Sequence, residues 1–175
     1  MLGLLKEAGE MAEGVERDHR PASAARQAGF KVHGADVTDF MRQVTPGHYG
    51  AVIASHVVEH VDPEKVPRLF SDASRALKPG GTFVVLTPNP RNIGVITRTF
   101  WGDLEHRRPY SVDLLGKLAA EAGFRVVSLG DDPYTRQPGV LHRPLNLLRR
   151  VLVGDYWQGA DLLLVAGKPG AGSAA

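Results

Sequence analysis

The sequence predicts an α/β fold built on a mostly parallel sheet, and three observations carry that expectation. Short apolar stretches alternate with helical patterns along most of the 175 residues, the signature of strands joined by crossover helices. Tyr49 to Ser55 is a nearly continuous apolar run, the pattern of a strand covered on both faces by helices, and is expected to be a central strand. Residues 82–87, Thr-Phe-Val-Val-Leu-Thr, are rich in β-branched side chains and bounded by Gly80-Gly81 and Pro88, which predicts a second buried strand.

The remaining elements follow in chain order. Leu2, Leu4, Leu5 and Ala8 predict a helix closed by Gly9, and residues 11–15 a short strand ending at Glu16. Pro21 suits the first position of a helix through Ala22, Ala25 and Ala28, stopped by Gly29 and followed by a strand over 30–32. Asp62 is expected to cap a helix starting at Pro63, whose inner face carries Val66, Leu69, Phe70, Ala73, Ala76 and Leu77. Residues 88–110, dense in Asn, Pro, Arg and aromatics, are expected to form a structured loop of the kind that carries sites. Ser111 caps a helix through Leu115, Leu118 and Ala119 that stops at Gly123, and strands are expected over 124–129 and 161–166. Residues 1–168 are read as one domain and 169–175 as a flexible Gly/Ala tail.

Composition narrows the function. The hydrophobic share of 43% and charged share of 23% are those of a globular protein, and no apolar run approaches the roughly 18–20 residues that span a bilayer. The opening residues do not read as a secretory signal, so the cytoplasm is the expected compartment. With no cysteine, disulfides, thiolate metal sites and cysteine nucleophiles are excluded. The 21 basic and 19 acidic residues, net +2, are interspersed, so no nucleic-acid partner is expected. Residues 145–153 combine leucines with Arg149 and Arg150; contact with a membrane surface is the lesser reading of them and packing on the sheet the preferred one.

The stretch from Tyr49 to Leu86 strings together a strand, Ser55-His56-Val57-Val58-Glu59-His60-Val61, a helix, Ala76-Leu77-Lys78-Pro79-Gly80-Gly81 and another strand. Each piece alone has an ordinary explanation as a turn or a helix end. In this order they resemble the class I S-adenosylmethionine-dependent methyltransferases, and Val58-Glu59-His60-Val61 with Thr87-Pro88-Asn89 resembles the ubiquinone-type O-methyltransferases among them. The resemblance runs from about Leu2 to Lys168. It implies a doubly wound, Rossmann-like sheet, S-adenosylmethionine as cofactor, and methyl transfer to a small-molecule acceptor, with oxygen the expected atom. No G-x-G-x-x-G precedes residue 2. The chain is therefore expected to enter the family pattern late, without its first strand and glycine loop, as an N-terminally incomplete domain.

The resemblance also assigns residues. Glu16, after Gly14-Val15, matches the acidic position that takes both ribose hydroxyls of the donor, a task suited to an acceptor-only carboxylate. Asp36, after Gly34-Ala35, matches the residue that accepts from the adenine amino group, with the amide of Val37 beside it; a helix N-cap is the plainer role for Asp36. Ser55 and His56 fall where the donor site continues. Asn89, Asn92, Trp101 and Tyr110 lie on the substrate side, with Phe100 beside Trp101 as a further wall. The resemblance leaves the base open, and His60 or His106, as imidazoles, can take a proton from a hydroxyl acceptor; a solvated His106 beside Arg107 and Arg108 is the plainer reading. Two other functions stay open: a non-catalytic form of the fold serving as an interaction module, and a metal-dependent hydrolase using His56-x-x-Glu59-His60. The hydrolase motif needs a regular helix, whereas His56 directly follows a strand, so no metal is expected; a divalent ion on His56, Glu59 and His60, as methyltransferases with a related Glu-x-x-Glu-His pattern bind, is the lesser reading.

Overall fold

A computed structural model describes residues 1–132 and 159–170, which excludes residues 145–153 and most of the tail. The chain divides into two compact units, residues 1–45 and 46–175, each taken by itself below.

In the first unit, α1 (Leu2–Glu7) and the turn at Gly9, φ +80°, lead into β1 (Glu13–Val15). The helix α2 (His19–Gln27) connects β1 to β2 (Lys31–His33), which runs parallel to it with Val15 opposite His33. The start of α2 differs from the expectation. Asp18, not the residue before Pro21, is the N-cap, its side chain accepting from the Arg20 amide at 2.9 Å. A short acceptor side chain satisfies an otherwise orphaned helix amide, and this decides the boundary over the rigid φ of proline, which is tolerated anywhere in the first turn. The helix α3 (Val37–Gln43) follows, capped by Asp36.

The second unit is a four-stranded mixed sheet in the order β3-β4-β6-β5. The strands are β3 (Tyr49–Ser55), β4 (Leu77–Pro88), β5 (Arg125–Asp131) and β6 (Asp161–Gly167). β3 and β4 are parallel, and β6 runs antiparallel to both of its neighbours. This is the α/β class the alternating pattern predicts. The two helices of the unit are α4 (Val66–Ala76) and α5 (Val112–Glu121). They pack on each other and on the sheet, covering a face made of Phe83, Val85 and Thr87 of β4 with Leu162, Leu164 and Ala166 of β6, all buried. Phe83 is the hub of that core, edge-on to Phe70 of α4 at 5.1 Å and stacked on Phe124 at 5.2 Å.

Two expectations are corrected here. β3 is not a central strand of this sheet: it pairs with β4 alone among the described residues, and Gly50, Ala51 and Ile53 are exposed. An apolar run reports what a strand can bury, not how many neighbours it has. Nor does α4 begin at Pro63. Residues 62–65 form a turn closed by the Lys65 amide on the Asp62 carbonyl at 2.8 Å, and α4 starts at Val66 with Pro67 in its first turn. The inner face of α4 is the predicted one, with Val66, Leu69, Phe70, Ala73 and Ala76 buried.

The Gly80-Gly81 pair has a steric cause as well as a conformational one. Gly80 adopts φ +78°, and a Cβ on Gly81 would stand 2.9 Å from the Lys78 carbonyl and 3.0 Å from that of Gly50. The turn therefore requires both glycines to bring β4 against β3. No helix among the described residues is long and apolar enough to cross a membrane.

Candidate functional site

The register of the second unit brings the ends of four strands to one edge. Ser55 lies opposite Leu86, Pro88 opposite Asp161, and Asp131 opposite Leu162. The carboxyl ends of β3, β4 and β5 thus meet the start of β6, the edge at which open α/β sheets bind ligands.

Glu59 is the centre of this edge. It sits in a single 3-10 turn, Val58–His60, after β3, and is fully buried. His56 Nδ1 lies 3.2 Å from its Oε1, and the Thr87 hydroxyl donates to its Oε2 at 3.0 Å. The Arg107 amide donates to the Glu59 carbonyl at 2.7 Å, which ties the long loop to the turn. His56 itself adopts φ +52°, the single non-glycine residue among those described in the left-handed region. Such a conformation costs of order 1 kcal/mol and persists where surroundings enforce it. Here the enforcing contacts are Glu59 and, at 4.0 Å from Nε2, Asp161. The hydrogen bond to Glu59 raises the His56 pKa above its ordinary value, burial opposes this, and the charge of Asp161 adds to it. Burial in turn lifts the Asp161 carboxyl above its usual range, against the pull of His56.

The loop after β4 contributes a column of rings. His106 stacks on Phe100 at 4.4 Å, its other ring neighbour is His60, tilted at 4.5 Å, and its Nε2 lies 3.9 Å from Asp103 Oδ2. His106 Nδ1 lies 2.7 Å from the Phe100 carbonyl. That oxygen can only accept, so Nδ1 donates, and Nε2, on the side of Asp103, carries the lone pair in the neutral form of the ring. The side chain of His106 is only 11% exposed, which excludes the solvated surface reading. His60 Nδ1 and the Tyr110 hydroxyl are the buried side-chain polar atoms without a partner among the described residues. Burial pushes the Tyr110 phenol above its ordinary range; Arg108 pulls it down and Glu59 pushes it further up. Tyr110 therefore keeps its proton at neutral pH.

The structure thus joins His60, His106 and the buried Tyr110 around Glu59 and separates them from the other substrate-side candidates. Asn89 is fully buried and committed to the protein: its amide donates to Asp131 Oδ1 at 3.2 Å and the Gly159 carbonyl at 3.0 Å, and its oxygen accepts from the Arg91 amide. Asn92 accepts from the Val95 amide at 3.1 Å, capping a π-helical stretch, Val95–Thr99. Trp101 is 61% exposed, edge-on to the buried Phe100. Sequence reasoning missed Thr87 and Asp161 as site residues. Pairing the last strand antiparallel with 82–87 places Asp161 beside Pro88, and that was the available signal.

In the first unit, Glu16 and Asp36 follow the carboxyl ends of two adjacent parallel strands. Glu16 is half-buried, and its Oε1 accepts from the Asp18 amide at 2.9 Å, which orients the carboxylate. Asp36 Oδ1 accepts from the Thr38 amide at 2.8 Å, so its capping role is filled. Ser55, half-buried, ends β3 in the second unit, immediately before the strained His56.

A family model described as a methyltransferase domain matches residues 2–129. The chain belongs to the class I S-adenosylmethionine-dependent methyltransferase family, and S-adenosylmethionine is the cofactor that membership assigns to it. No curated protein matches the sequence. Among solved structures, a SAM dependent methyltransferase from Archaeoglobus fulgidus is similar with TM-score 0.79 and 23% identity, over 95% of this chain and 80% of that one. A methyltransferase from Haloferax volcanii, in complex with the Trm112 activator, is similar with TM-score 0.72 and 19% identity, over 96% and 77%. Geranyl diphosphate C-methyltransferase from Streptomyces coelicolor, with Mg2+, geranyl diphosphate and S-adenosyl-L-homocysteine, is similar with TM-score 0.66 and 20% identity, over 96% and 68%. At these identities the likeness is one of fold.

Proposed function

We propose that this chain transfers the methyl group of S-adenosylmethionine to an oxygen of a small-molecule acceptor, with the His60–His106 pair receiving the acceptor's proton. The observation that carries the reading is the ring pair itself: two imidazoles 4.5 Å apart at the ligand-binding edge of the sheet, with the lone pair of His106 directed away from Phe100 by its Nδ1 contact. In the reaction a hydroxyl oxygen attacks the sulfonium methyl carbon, the C–O bond forms as the C–S bond breaks, and S-adenosylhomocysteine leaves. The hydroxyl proton passes to imidazole. Alignment of the two reactants supplies much of the acceleration, and general-base help adds about 10²–10⁴-fold. Donor binding draws on Glu16 for the ribose hydroxyls and on Asp36 and the Val37 amide for the adenine. The support is their placement after two adjacent parallel strands, where such folds hold nucleotides.

The test is methyl transfer from labelled S-adenosylmethionine to a panel of a simple phenol, a catechol and a quinol, with the product's linkage read by mass spectrometry. The expected product is a methyl ether. The variant His60→Gln with His106→Gln is expected to lower kcat by about 10²-fold or more with the donor KM unchanged. Methylation at carbon, or an unchanged kcat in the double variant, overturns the reading.

A further inference from the structure

We propose that His56 and Asp161 form a subsite for a neutral hydroxyl of the acceptor, a second one besides the oxygen that receives the methyl group. The two residues stand together at the ligand-binding edge, His56 just after β3 and Asp161 at the start of β6. His56 Nε2 lies 4.0 Å from Asp161 Oδ1, which is beyond hydrogen-bond reach. Among the described residues nothing else donates to the Asp161 carboxylate, and His56 is bonded only through Nδ1, to Glu59. The Asp161 side chain is 15% exposed, so it has lost most of its water without gaining a donor. The His56 side chain, at 47% exposed, keeps the pair open to a ligand.

The gap suits one oxygen. An atom about 2.8 Å from both sides bridges it in a bent arrangement that a hydroxyl can adopt. The two walls also choose the group. His56 Nδ1 is held by the Glu59 carboxylate, whose hydrogen bond raises the imidazole pKa and favours the cation, leaving Nε2 with a hydrogen to donate. An ionised Asp161 can only accept. A hydroxyl answers both, accepting from His56 and donating to Asp161. An ammonium has no lone pair for His56, and a carboxylate has no hydrogen for Asp161. The held hydroxyl is not the one methylated, because its lone pair is engaged by the imidazolium. Both walls are fixed in place: His56 by its left-handed backbone and Glu59, Asp161 by its pairing with Pro88 and by its carbonyl, which accepts from the Asp132 amide at 2.9 Å. That the ligand is the methyl acceptor rests on the oxygen-transfer reading above; on it, molecules with two or more hydroxyls are the acceptor class.

The experiment is calorimetric titration of the full chain, saturated with S-adenosylhomocysteine, with phenol and with catechol, resorcinol and hydroquinone, which carry a second hydroxyl at three spacings. At least one of the three is expected to bind tenfold or more tighter than phenol, the advantage of hydrogen bonds to charged partners. In Asp161→Ala, and in His56→Asn, a residue that tolerates the left-handed backbone, that ratio is expected to fall to about one, with each fold checked by circular dichroism. A merely structural role would weaken phenol and the dihydroxybenzenes alike and leave the ratio unmoved. Because binding is read without turnover, a chain that prefers the second hydroxyl but forms no methyl ether contradicts the oxygen-transfer reading and still supports the subsite. Folded wild-type chain that binds none of the three, or binds none more tightly than phenol, overturns the proposal, as does a ratio retained in folded Asp161→Ala.

Discussion

Replacing Phe83 with alanine is expected to cost about 3–5 kcal/mol of stability, the range for removing a large buried aromatic. The size follows from where the ring sits. Phe83 is 1% exposed and is the side chain through which β4 meets Phe70 of α4 and Phe124 before β5. Its removal leaves a cavity between three elements that cannot collapse independently, and it also deletes two aromatic contacts worth about 0.5–1.5 kcal/mol each beyond their area. Thermal denaturation should show the midpoint lowered by roughly 10 °C for a domain of this size. Val126→Ala, at a position 37% exposed, is the comparison and should change stability by about 1 kcal/mol or less. A loss below about 1 kcal/mol in Phe83→Ala would remove Phe83 from the core.

Glu59→Ala is the second large effect, expected to destabilise by about 2–4 kcal/mol. Glu59 is wholly buried, so its removal strips a partner from Thr87, which is equally buried, and from His56. The loss has a pH signature. The folded-state pKa of His56 is raised, chiefly by Glu59, above the unfolded value of about 6.5. Its contribution is therefore fully present below about pH 6.5 and fades as pH rises through the folded value. The isosteric Glu59→Gln should accordingly differ most from wild type in acid and least in base. In nuclear magnetic resonance titrations of the same variant, His56 should move back towards about 6.5. A His56 midpoint unchanged by Glu59→Gln contradicts the assigned pair.

Much of the architecture was legible because its signals are local. Residues 82–87 are β-branched between Gly80-Gly81 and Pro88, and they form the middle of β4. Ser111 and Gly123 bracket α5, with the serine accepting from the Leu114 amide and the glycine at φ +81°. Helix starts were less legible, because several capping signals compete within one turn. Asp18 prevailed over Pro21, and the Asp62-Pro63 pair formed a turn of its own before Val66. The exposure of β3 was not legible, since apolar content does not count neighbours.

The candidate site was legible as a set of residues and not as an arrangement. His60 and His106 were each marked for chemistry by residue type, but their tilted ring contact goes with the Arg107 amide finding the Glu59 carbonyl. No spacing rule predicts that contact. Asn89 looked available because asparagine in a loop can bind a ligand. Folding instead spends it on Asp131 and Gly159, groups that approach only once β4, β6 and β5 have paired.

The most direct test of donor use by this chain is calorimetric titration of the full chain with S-adenosylhomocysteine, which engages the nucleotide groups without an acceptor. Saturable binding at one site is expected, weakened at least tenfold in Glu16→Ala and in Asp36→Asn, a substitution that preserves the helix cap. A chain folded by circular dichroism that gives no binding heat, or that binds equally well in both variants, contradicts it.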